Sequence, residues 1–130
     1  MDREEVEFAL RKFSDAVSAL RSGLSEAKSQ LEKDGIIQRF EFTFEAFWKS
    51  LKIYLANKGA ICKFPKDCLK EALRSGLISD EGVFLSMLMD RNLTSHVYSE
   101  EEAERVYLSI VEKNYIAAFE AVLKQMRSSL

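Results

Sequence analysis

Apolar positions run through the first quarter of the chain in one unbroken stripe. Val6, Leu10, Phe13, Val17, Leu20, Leu24, Ala27 and Leu31 follow each other in alternating steps of four and three, the spacing of one face of an α-helix. The stripe passes Gly23 without losing phase. It predicts one helix over about Arg3–Lys33, with Gly35 as its stop. In the next block Phe40, Phe42 and Phe44 alternate as a strand would, but the longer window decides for a helix. Ile37, Phe40, Phe44, Phe47, Leu51 and Tyr54 or Leu55 keep the three-four spacing to about Asn57, with Gly59 beyond it. Phe42 and Trp48 fall partly off this stripe and are expected to pack against another helix or a second subunit.

A short helix follows, with Pro65 in its first turn and Gly76 at its end. Ser79 or Asp80 caps the start of a fourth. Ser99 opens the last, and Glu102 completes the S-x-x-E pattern of a capping box. Ala103, Val106, Ile110, Ala117 and Ala121 supply most of its buried stripe, which reaches about Met126. The expected fold class is all-α: an up-down antiparallel bundle of four to five helices, one domain over residues 1–130. The aromatic load of the second helix is high for one small subunit and predicts a homodimer.

Composition adds exclusions. The formal net charge of −2 demands neither a nucleic acid nor a membrane surface as partner. No apolar run approaches the roughly 18 residues of a membrane span, and the acidic start MDREEVEF has no apolar signal core, so a cytoplasmic location is expected. Cys62 and Cys68 cannot complete a standard zinc set with a single histidine in the chain. They are read as two free thiols, one in a loop and one on the short helix. No metal or cofactor is called for.

That single histidine, His96, lies in DRNLTSHVY, residues 90–98. Histidine exchanges protons near neutral pH, and arginine offers a permanent charge with planar donors suited to phosphate. Asn92 can orient an imidazole or a phosphate oxygen. Together Arg91, Asn92 and His96 are the parts needed for metal-free RNA cleavage, in which a base takes the 2′-hydroxyl proton and a cation stabilises charge on phosphorus. On a continuous helix, however, Arg91 and His96 would point about 140° apart, from 100° per residue. Either the backbone unwinds after Leu93, or two copies face each other across a dimer axis. A plainer role competes: an arginine and a histidine at a helix C-terminus also offset the macrodipole and bond the last carbonyls.

The stretch RNLTSHVY has the R-x4-H-x-Y form, and its flanks QRFEFTFEAFWKSLKIYL, EALRSGLI and MLMDRNLTSHVYSEEEAERVY extend the likeness from about Phe8 to Phe119. Over that span the chain resembles the HEPN-domain HepT-type toxins, also described as nucleotidyltransferase substrate-binding proteins. The resemblance implies a helical bundle that pairs into a homodimer, with a metal-independent endoribonuclease site at the dimer interface. It implies that Arg91 and His96 are the catalytic pair, that Asn92 positions substrate RNA, and that Tyr98 is adenylylated by a cognate minimal nucleotidyltransferase acting as antitoxin. The older family description implies an alternative, a non-catalytic substrate-binding subunit of a two-component nucleotidyltransferase.

Overall fold

The structure, a computed structural model, describes residues 3–96 and 99–130. Among them are six helices and no strand: α1 (Arg3–Glu26), α2 (Gln30–Asn57), α3 (Pro65–Arg74), α4 (Glu81–Thr94), α5 (Glu100–Glu112) and α6 (Tyr115–Ser128). The all-α expectation holds. Two of its boundaries do not.

The first helix ends at Glu26 instead of running to Lys33, and Gly35 lies inside α2. The cause is a capping box at Ser29. Its hydroxyl accepts from the Glu32 amide at 3.1 Å, and the Glu32 carboxylate accepts from the Ser29 amide at 2.9 Å. The donors at this carboxylate, first of all the Ser29 amide, hold the Glu32 carboxyl below its ordinary range. The three residues 27–29 then turn the chain back, and α2 runs antiparallel along α1. Arg39 donates to the Ala19 carbonyl at 2.6 Å, Thr43 lies 3.2 Å from that of Ala16, and Phe47 packs on Phe13. The two helices pack closely at Gly23: a Cβ there would meet Ile36 Cδ1 at 2.6 Å.

The last predicted helix is two helices. Lys113 and Asn114 interrupt it, and Asn114 adopts φ 51°, ψ 58° while its side chain accepts from the Ala117 amide. The interruption changes which face is buried. Ala103, Val106 and Ile110 point into the core as expected, but Ala117 and Ala121 are exposed. Tyr115, Phe119, Val122 and Met126 are buried in their place.

Helix α2 touches α1, α3, α4 and α5, and its buried aromatics form the centre of the core. Phe13, Phe40, Phe44, Phe47, Phe84, Tyr115 and Phe119 meet ring to ring, with neighbouring centroids 5.2 to 6.4 Å apart. Glycines with positive φ follow α2 and α3 where expected, at Gly59 and Gly76. Cys62 and Cys68 are not free thiols. The loop before α3 folds back on its first turns, leaving the two Cα atoms 5.2 Å apart, and the sulfurs form a disulfide. No helix among the described residues is long and apolar enough to cross a membrane.

Candidate functional site: a cleft at the end of α4

Helix α4 is fixed at both ends and along its buried side. Asp80 caps its start by accepting from the Val83 amide. Near its end the buried Asp90 accepts a 2.6 Å hydrogen bond from the Tyr115 hydroxyl of α6, which also bonds Ser86 at 2.7 Å. Burial, reinforced by Asp90, pushes the Tyr115 phenol well above its ordinary range, so it stays a donor. With Asp90 turned inward, the next residue lies about 100° around the helix. That residue is Arg91, and it reaches across to α2.

There its guanidinium forms an ion pair with Glu45 Oε1, while its other terminal nitrogen lies 3.2 Å from the Asn92 side-chain oxygen. The second Glu45 oxygen accepts from Trp48 Nε1 at 3.2 Å and has Lys49 Nζ at 3.7 Å. Arg91 and Glu45 keep 31% of their side-chain surface exposed, and a pair so open to water contributes about 0–1 kcal/mol. Its weight lies in where it holds the guanidinium.

The helix stops at Thr94. The hydroxyls of Thr94 and Ser95 bond the carbonyls of Arg91 and Asn92, at 2.7 and 3.1 Å, and the His96 amide bonds that of Leu93 at 2.8 Å. The carbonyls of Arg91, Asn92 and Leu93 therefore find partners without the Arg91 side chain. The turn also brings His96 to the same side as Arg91. Glu41, Phe42 and Glu45 from α2, with Arg91, Asn92, Ser95 and His96, line one open cleft of about 620 Å³. His96 is exposed, and Phe42 is 62% exposed.

Three of the four residues singled out from the sequence thus share one cleft within one chain. The fourth, Tyr98, lies outside the described residues. The contribution of α2 is not visible in the sequence. There Phe42 stands out only as an aromatic off its stripe, and nothing local points from Glu45 to a partner on α4.

Comparison with known proteins shows what the chain resembles. Residues 4–128 match the family described as nucleotidyltransferase substrate binding protein like. A Haemophilus influenzae protein named "Probable ribonuclease HepT" is 38% identical over 98 residues, which cover 72% of this chain and 66% of that protein. The alignment thus spans just under two thirds of that relative's own length. A solved structure from Thermus thermophilus superposes with a TM-score of 0.81 at 35% identity, covering 88% of this chain and 98% of that one. A second, from Haemophilus influenzae and described as revealing the fold of a substrate binding domain of a nucleotidyltransferase, superposes at 0.68 with 29% identity, covering 97% and 99%. With its model matched over nearly the whole length and a HepT relative beside it, the chain belongs to the nucleotidyltransferase substrate-binding protein family.

Proposed function

We propose that this chain is a HepT-type toxin, a metal-independent endoribonuclease that works as a homodimer. His96 takes the proton from a ribose 2′-hydroxyl, the 2′-oxygen attacks phosphorus, and the bond to the 5′-oxygen breaks. Arg91 stabilises the charge that grows on the phosphoryl oxygens. The leaving 5′-oxygen needs a proton, which the second copy's histidine supplies when two clefts meet across the dimer axis. Asn92 holds the substrate or the imidazole in place. A cognate minimal nucleotidyltransferase, the antitoxin, silences the site by adenylylating Tyr98. The added AMP puts bulk and negative charge two residues from His96 and competes with RNA for Arg91.

The observation that carries this reading is the shared cleft of Arg91, Asn92 and His96, together with an Arg91 side chain that is not spent on the carbonyls of its own helix. The test is cleavage of RNA by the purified protein in a chelating buffer. Arg91→Ala and His96→Ala are each expected to lower the rate by about 10²–10⁴-fold, the usual contribution of a positioned acid or base. Full cleavage by both variants would falsify the assignment.

The family description and the second solved structure favour one other reading, a non-catalytic subunit that binds substrate beside a nucleotidyltransferase. It predicts no cleavage at all by the pure protein. Intact mass of protein made with and without its cognate nucleotidyltransferase tests the regulatory step. A gain of one or more AMP units, absent in Tyr98→Phe, supports it.

A further inference from the structure

We infer that Glu45 is a positioning residue for Arg91, held in turn by Trp48. The inference rests on the reading of the cleft as a phosphodiester site and names how that site is kept in register. Glu45 belongs to a different helix from the R-x4-H stretch, yet its Oε1 grips the Arg91 guanidinium across 46 positions of chain. Its other oxygen accepts from the Trp48 indole. The carboxylate is thereby engaged at both oxygens, Oε1 by Arg91 of α4 and Oε2 by Trp48 with Lys49 Nζ 3.7 Å away, and Arg91 at both terminal nitrogens, by Glu45 and Asn92. An arginine side chain is long and has several rotatable bonds whose freedom must be lost when it is held in one place. Tied in this way, it presents its remaining donors without that freedom when charge develops on phosphorus.

The arrangement has an electrostatic cost that makes it testable. Glu41 and Glu45 place carboxylates on the wall of a cleft meant for an anion. Glu45 therefore opposes ground-state binding of phosphate while improving the geometry of the reaction. A side chain that only stabilises the fold does not separate these two effects.

Two measurements test this. The first uses cleavage together with binding of a 2′-deoxy oligonucleotide, which has the phosphates but lacks the attacking hydroxyl. Glu45→Ala is expected to bind it as tightly as the wild type or several-fold tighter, while kcat falls at least about tenfold, the signature of lost orientation with lost ground-state opposition. Glu45→Gln, which keeps an acceptor oxygen for Arg91, is expected to recover part of kcat. A kcat within about threefold of the wild type in Glu45→Ala, or binding weakened in step with kcat, overturns the inference.

The second measurement needs no activity. Trp48 is the only tryptophan of the chain. Arg91→Ala is expected to shift its emission in the wild-type background and to leave it unchanged in Glu45→Ala. A shift of equal size in both backgrounds, or in neither, overturns the coupling. If the wild-type protein cleaves no RNA, the ribonuclease reading has failed, and this cycle alone still decides whether Glu45 holds Arg91.

Discussion

A buried carboxylate must be given donors, and Asp90 receives one from Tyr115. The pair sets the rotation of α4 one residue before Arg91 and so reaches the cleft without touching it. Tyr115→Phe keeps the ring in the aromatic core but leaves Asp90 without that donor. It is expected to destabilise the fold by about 1–3 kcal/mol in chemical denaturation. The pH dependence has a definite sign. The Tyr115 phenol is raised in the folded protein, so the unfolded chain releases this proton first. The contribution is complete below about pH 10, the ordinary tyrosine value, and declines as pH rises above it. The stability difference between wild type and Tyr115→Phe is therefore expected to narrow above that pH, and a difference that stays constant well beyond it would count against the assignment. At this scale the sequence is readable wherever chemistry is local. Arg91, Asn92 and His96 lie within six positions, and their side-chain types alone suggest phosphate chemistry. Glu45 is not readable, because its meaning depends on α2 and α4 being adjacent, and no periodicity reports which helices touch.

Both helix boundaries that depart from the apolar pattern have capping residues at the true break. The S-x-x-E pattern stands out at Ser99 but also occurs at Ser29, where the apolar stripe carries through in phase and hides it. An apolar period reports which face is buried. It is blind to a turn that happens to keep step. The break at Asn114 is hidden in the opposite way, since Ala117 and Ala121 extend the earlier stripe while lying on the exposed face of a new helix. Asn114 matters there for two reasons: a left-handed backbone and a side-chain cap. Replacing it separates them. Asn114→Ala loses the cap and strains the backbone, with an expected loss of about 2 kcal/mol or more. Asn114→Gly relieves the strain and is itself a fair cap, so its loss should stay within a few tenths of a kcal/mol. Equal losses in the two variants, measured by denaturant unfolding, would mean that the left-handed turn is not what starts α6. The same pair of variants bears on the site, because α6 carries Tyr115 in its first turn.

On the proposed reading, the site is complete only when two copies of the chain meet. One chain offers one imidazole to its cleft, whereas the proposed cleavage step needs a base and an acid on opposite sides of phosphorus. The pattern of the second helix predicts a homodimer from its surplus of aromatics. The fold absorbs most of them: Phe40, Phe44 and Phe47 are wholly buried within a single chain, and the surplus shrinks to Phe42 with a half-buried Trp48. Phe42 stands largely exposed on the rim of the cleft. Apolar surface beside the Arg91 and His96 pair is where two copies would have to meet for both histidines to reach one phosphate. Phe42→Glu tests this without touching the core, since the side chain already faces water. Light scattering is expected to find the parent at twice the 14.9 kDa chain mass and the variant at the chain mass itself. Cleavage by the variant should fall by about two orders of magnitude although Arg91 and His96 are intact, the loss that follows from removing one positioned proton donor. A variant that remains dimeric and cleaves normally would place the interface elsewhere and leave each cleft to work with its own histidine.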